Sequence, residues 1–141
     1  MREKDLLSAE VEIQVPFYDL DPLEVVWHGN HVKYFEVARC ALLDKIDYSI
    51  AQMRASGYAW PVIELFVRYA QPLRFGQIVR VRADLAEWEL RLKIAYLISD
   101  ARTGQRLAKG HTVQVAVCAT TGEMCLASPE VLRRKLGQTQ A

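Results

Sequence analysis

Hydrophobic and polar positions alternate over residues 11–17, with Val11, Ile13, Val15 and Phe17 on one side and Glu12 and Gln14 on the other. A period of two marks a strand with one buried face. Asp19, Asp21 and Pro22 then break the pattern. Over residues 30–47 the period becomes helical. Lys33, Glu36, Asp44 and Asp47 fall within one narrow stripe, and Val32, Phe35, Val37, Ala38, Ala41, Leu42, Leu43 and Ile46 fill most of the remaining surface. A helix apolar over most of its circumference must be covered on several sides. Arg39 lies off the polar stripe, so it is expected to pair with an acid or reach a subunit boundary. A shorter helical turn is expected over residues 50–55, ended by Gly57.

After Gly57 the period of two returns. Residues 61–71 place Ile63, Leu65, Val67 and Tyr69 on one face, and Pro72 and Gly76 punctuate the connection that follows. Residues 78–88 turn Val79, Val81, Ala83 and Leu85 inward, and the next run does the same with Leu92, Ile94, Tyr96 and Ile98. Residues 100–104 read as a hairpin loop. A further strand is expected over residues 107–118, with Val113, Val115 and Val117 on one face, followed by a turn at Thr120, Thr121 and Gly122. Ser128 and Pro129 have the chemistry of a helix start, Ser as N-cap and Pro at the first position, and the last five residues are expected to fray.

One strand, one long buried helix and then a run of antiparallel strands argue an α+β fold. We expect a curled antiparallel sheet of about five strands around one long central helix, in a single domain over residues 1–141. One subunit of this size leaves an open sheet edge and an incompletely covered helix. Pairing with a second copy resolves both, so a homodimer or homotetramer is expected.

Composition narrows the function. Of the 141 residues, 51% are hydrophobic and 25% charged, as in a globular protein with a real core. A formal net charge of +1 gives no footprint for nucleic acid. No apolar run reaches the length of a membrane span, and the N-terminal residues lack the apolar stretch of a secretory signal. Cys40, Cys118 and Cys125 are an odd count without a CxxC pair, which points to reduced thiols in the cytoplasm.

The chemistry concentrates in residues 18–36. Asp21 stands a few residues before the helix start, and the loop between carries Trp27, His28 and Gly29. Backbone amides at the positive end of a helix can hold a carbonyl oxygen while an acid activates water or attacks. The alternative for Asp21 is turn chemistry, and for Asp19 a bond from its side chain to backbone amides in the turn is the favoured reading. His28 is disfavoured as a cation by the helix dipole, and is either a catalytic imidazole or a partly buried loop residue. His28 and His31 have no third ligand at a matched spacing, so no metal site is expected. Glu36 lies on the polar stripe, and Glu64 is the second-choice acid. Arg74, Arg91 and Lys93 could meet phosphates or simply face solvent. Cys40 reads as a core thiol.

The segment Asp19 to Asn30, Asp-x-Asp-Pro-x-x-Val-Val-Trp-His-x-Asn, resembles the signature of the 4-hydroxybenzoyl-CoA thioesterase branch of the hotdog superfamily, which includes the Tol-Pal-associated acyl-CoA thioesterases. The likeness continues through Tyr34, Phe35, Glu36, Ala38 and Arg39, then Arg68 and Tyr69, Pro72 to Gly76, and Ala108 and Gly110. It implies a hotdog fold and hydrolysis of an acyl-CoA thioester without a cofactor. Asp21 would be the catalytic acid, as nucleophile or general base, and His28 its catalytic neighbour. The amide of residue 28 would polarise the thioester carbonyl. Trp27, Gly29, Glu64, Arg74 and Arg91 are the substrate-binding candidates. Two alternatives stay open: an acyl carrier protein thioester as substrate, or an acyl-CoA-binding protein without turnover. The chain departs from the family at Glu24, where the family usually has Gly. Either the loop there adopts a conformation that a side chain tolerates, or the mouth of the site differs.

Overall fold

The computed structural model describes residues 7–140. Most of the N-terminal segment read for an export signal, residues 1–6, and Ala141 lie outside the described residues. The elements are β1 (Ser8–Gln14), a single 3-10 turn (Phe17–Asp19), α1 (His31–Asp44), α2 (Ile50–Ala55), β2 (Tyr58–Ala59), β3 (Val62–Tyr69), β4 (Ile78–Glu87), β5 (Leu92–Asp100), β6 (Arg106–Gln114), β7 (Val117–Cys118) and α3 (Glu130–Gln140). Five strands make one antiparallel sheet in the order β1-β4-β5-β6-β3, and β2 pairs with β7 beside it. This is the hotdog arrangement of sheet and helix.

The period-two reading holds best in the middle of the sheet. Val79, Val81, Ala83 and Leu85 of β4 are buried, as are Leu92, Ile94, Tyr96 and Ile98 of β5. α1 packs against β1, β4 and β5. It buries Tyr34, Phe35, Ala38, Leu42 and Leu43, the face that follows from spacings of three and four. The Phe35 ring stacks on Tyr96 with centroids 4.5 Å apart. It also lies over Gly110, where a Cβ would run into the Phe66 carbonyl and the Phe35 ring. Gly110 is therefore what makes room on β6 for the Phe35 ring of α1. α2 opens with the capping box formed by Ser49 and Gln52, and Leu132 and Leu136 of α3 join the core.

Several expectations give way to tertiary context. Phe17 is exposed rather than inward, because the chain turns into the 3-10 segment after Gln14. The strand expected over residues 107–118 is two strands, since β7 leaves β6 to pair with β2. α1 ends at Asp44, and Asp47 takes a left-handed φ of 54°. Cys40 is exposed, not a core thiol, because α1 is covered on only part of its circumference. The Ser128 hydroxyl caps nothing. α3 runs on to Gln140 where fraying was expected. β3 is an edge strand and leaves Ile63, Leu65, Phe66 and Tyr69 exposed.

Candidate active site

The loop from Asp19 to Asn30 is held to the helix it precedes. Asp19 is buried, and its two carboxylate oxygens take the Lys33 ammonium and, at 2.7 Å, the Tyr34 hydroxyl, both on the first turn of α1. Its partners are thus helix side chains, not the turn amides expected from sequence. The Asp19 carbonyl accepts from the Trp27 amide at 3.0 Å and from the Asn30 side chain at 2.9 Å. The loop closes on Asp19 from three directions. With the Asp19 carboxylate so close, and above all through its own burial, the Tyr34 hydroxyl is pushed well above the ordinary tyrosine pKa.

Asp21 sits at the head of a tight turn. Its amide donates to the Val25 carbonyl at 2.9 Å, its carbonyl accepts from the Glu24 amide at 2.9 Å, and its Oδ1 accepts from the Leu23 amide at 2.8 Å. No other donor among the described residues reaches the carboxylate. The turn is closed by Glu24 at φ 65°, a left-handed conformation. So the loop keeps the shape that glycine favours, and Glu24 carries the strain.

Asp21 opens onto a cavity of about 320 Å³ that is also lined by His28, His31, Tyr69 and Pro72. The Asn30 amide is taken by the Trp27 carbonyl, but the His28 and Gly29 amides meet no acceptor among the described residues. Free N–H groups just ahead of a helix are a place for an anionic oxygen. The cavity thus brings together an acid with an open oxygen, an imidazole and an unoccupied donor. The Tyr69 hydroxyl, reaching across from β3, donates to the His28 carbonyl and pins the loop from the sheet side.

The other candidates are placed around or away from this cavity. Trp27 is half-exposed with its indole folded over Gly29, where a Cβ would overlap the ring. Arg74 is beside the loop through a bridge between Val25 and Arg74. Glu64 pairs with His111 at 2.7 Å across β3 and β6, and Arg91 pairs with Glu87 at 2.7 Å in the β4–β5 hairpin. Neither Glu64 nor Arg91 lines the cavity. Arg39 is buried and paired with Glu36, as its place off the polar stripe suggested. No group of three metal-ligating side chains stands together among the described residues, and no helix there is long and apolar enough to cross a membrane.

Two cavity residues were not legible as such. In the sequence His31 stands out only beside His28, as one half of a metal-pair spacing. Its position three residues on, at the first turn of the helix, was the available signal. Tyr69 is brought in from a strand 41 residues away from His28, which no local pattern reveals.

The chain resembles known proteins over nearly its whole length. A structure of the hypothetical protein TT1821 from Thermus thermophilus superposes with a TM-score of 0.81 and 30% identity, covering 93% of this chain and 98% of that one. The DHNA-CoA thioesterase from Staphylococcus aureus shares the fold with a TM-score of 0.83 at 24% identity, covering 94% of this chain and 91% of that one. The acyl-acyl carrier protein thioesterase ATL3 of Arabidopsis thaliana is 31% identical over 77 residues, 55% of this chain and 40% of that protein. The Thioesterase-like superfamily model matches residues 15–135, which include the loop, α1 and the sheet strands β3 to β6. The chain belongs to the Thioesterase-like superfamily.

Proposed function

We propose that this protein hydrolyses an acyl-CoA thioester to the free acid and CoA, with Asp21 as the central acid. One observation carries the reading: Asp21 and His28 line the same cavity, and among the described residues neither the second carboxylate oxygen of Asp21 nor the backbone N–H of His28 has a partner. The thioester carbonyl oxygen would take the His28 amide, so that charge developing on oxygen meets a fixed dipole at the head of α1. Asp21 attacks the carbon or takes a proton from water, and His28, in the lining of the same cavity, contacts the substrate. The thiolate leaves without a dedicated acid. Trp27 and Gly29 shape the mouth, Arg74 and Arg91 are the cations offered to the CoA phosphates, and Glu64 is the second-choice acid, reaching the pocket of a neighbouring subunit.

The working unit we propose is a homo-oligomer joined through the β3 edge. The unpaired edge and the exposed Ile63, Leu65 and Tyr69 beside the cavity would be covered together by a second copy. The cytoplasm is the proposed compartment, in keeping with three unpaired cysteines.

The test is thiol release from short aliphatic, long aliphatic and aromatic acyl-CoAs by the wild type and Asp21→Asn. Loss of about 100-fold or more in turnover in the variant is the expected result. Equal rates would remove Asp21 from the chemistry. A second reading, an acyl carrier protein thioester, is favoured by the match to ATL3 and ATL2, both named acyl-acyl carrier protein thioesterases. It predicts faster turnover of the carrier-bound acyl group than of the matching CoA ester.

A further inference from the structure

The cavity contains a second imidazole, and the reading above leaves it without a role. His31 is the first residue of α1, lines the same cavity as Asp21, and is only 3% exposed. Its Nδ1 is sealed from solvent and has no hydrogen-bond partner among the described residues. Its Nε2 has no partner among the described residues either, yet is not sealed, which leaves that atom as the face the ring shows to the cavity. The ring is held edge-on against Tyr69 with centroids 4.8 Å apart, and Tyr69 is itself tied to the His28 carbonyl.

A buried ring that only filled space would be better served by a phenyl group, which would leave no polar atom stranded. Burial holds the pKa of His31 below that of an ordinary histidine, against the pull of the Trp27 and His28 carbonyls, so the ring is neutral. A neutral imidazole has one N–H and one lone pair. With that proton assigned to the sealed Nδ1, the lone pair stands on Nε2 and faces the cavity.

We propose that His31 is a further catalytic residue: its Nε2 accepts one hydrogen of the attacking water while the open oxygen of Asp21 accepts the other. The inference rests on the thioesterase reading and sharpens it, because it selects activation of water over direct attack by Asp21. Two fixed acceptors leave a lone pair of the water free to meet the acyl carbon. The oxygen–carbon bond forms as one O–H bond breaks, its proton going to Asp21. The carbonyl electron pair moves to oxygen, against the His28 amide. Collapse then breaks the carbon–sulfur bond, and the proton on Asp21 passes to the departing thiolate. His31 keeps its own proton throughout.

The experiment compares wild type, His31→Phe, His31→Gln and Asp21→Asn in the full chain, using acetyl-, lauroyl- and benzoyl-CoA and following kcat, KM and the thermal midpoint. His31→Phe is expected to lower kcat by about 100-fold or more with KM within about twofold. Its thermal midpoint should equal or exceed that of the wild type, since the stranded Nδ1 is gone. His31→Gln, with an amide oxygen able to stand in for Nε2, should recover about tenfold of that loss. A single turnover in ¹⁸O-water with enzyme in excess should label the product acid. If His31→Phe keeps kcat within about threefold of the wild type while Asp21→Asn is inactive, the thioesterase reading stands and the role of His31 is overturned. Loss of kcat together with the thermal midpoint, or an unlabelled first product, overturns it as well. A wild type silent on all three esters takes down the inference and the CoA-ester reading together.

Discussion

Replacing Glu24 with glycine should stabilise the protein while leaving its turnover intact. Glu24 has φ 65°, and its side chain makes no hydrogen bond or ion pair among the described residues. A left-handed conformation costs an L side chain about 1–2 kcal/mol, which glycine does not incur. Glycine in turn adds freedom to the unfolded chain, at a cost of about 0.4–1 kcal/mol. The difference favours Glu24→Gly by about 0.5–1 kcal/mol, or a rise in thermal midpoint of about 2–4 °C for a domain of this size. The controls separate backbone from charge. Glu24→Ala keeps the strained φ and removes the carboxylate, so its midpoint should match the wild type. Glu24→Asn, which tolerates this conformation better, should fall between alanine and glycine. Thermal scans at one fixed protein concentration measure all four, because assembly would otherwise shift the midpoints. A midpoint lowered by glycine, or an alanine variant raised as far as glycine, would refute the reasoning. Turnover should survive in Glu24→Gly, since the turn that carries Asp21 is closed by the Glu24 backbone amide and not by its side chain.

Further outcomes follow from the same geometry. Asp19→Ala frees Lys33 and strands the Tyr34 hydroxyl, and should cost about 2–4 kcal/mol in denaturant unfolding along with a loosened loop seen as faster amide exchange at residues 27–30. Gly110→Ala forces a Cβ against the Phe66 carbonyl and the Phe35 ring, and should destabilise by about 1–3 kcal/mol or shift the β3–β6 pairing, readable by denaturant melts. Leu65→Arg on β3 should lower the mass seen by sedimentation to that of one chain, and an unchanged mass would place the assembly elsewhere. Asp100 is held down to about 2 by the Gln77 side chain and by the Thr103 and Arg102 amides in the β5–β6 loop. Its ionised form is favoured by folding, so its contribution is present above the ordinary carboxylate pKa and disappears as pH falls towards 2. The difference in thermal midpoint between wild type and Asp100→Asn should therefore shrink between about pH 4 and pH 2.

Sequence alone determined what depends on short spacing. The alternation in β4 and β5, the helical stripe of α1, the Asp100 hairpin and the place of Asp21 ahead of a helix all rest on neighbours within a few residues, and all are present in the structure. The departure at Glu24 was also visible. Its resolution was not, because whether a side chain sits at positive φ depends on the turn that surrounds it.

Tertiary structure decided which partners meet. Asp19 reads as a turn residue, yet Lys33 and Tyr34 of α1 come round to its two oxygens once the helix is laid down. The break between β6 and β7 exists because β2 offers a second pairing, a competition that alternation cannot register. Tyr69 and His31 become cavity residues only when the β3 edge is brought against the head of α1, where burial holds the pKa of His31 below its ordinary value. Local pattern sets the conformation of each segment, because backbone sterics and side-chain periodicity act over a few residues. The chemistry of the site depends on burial and on groups distant in sequence, and those exist only after the sheet and helix have closed on each other.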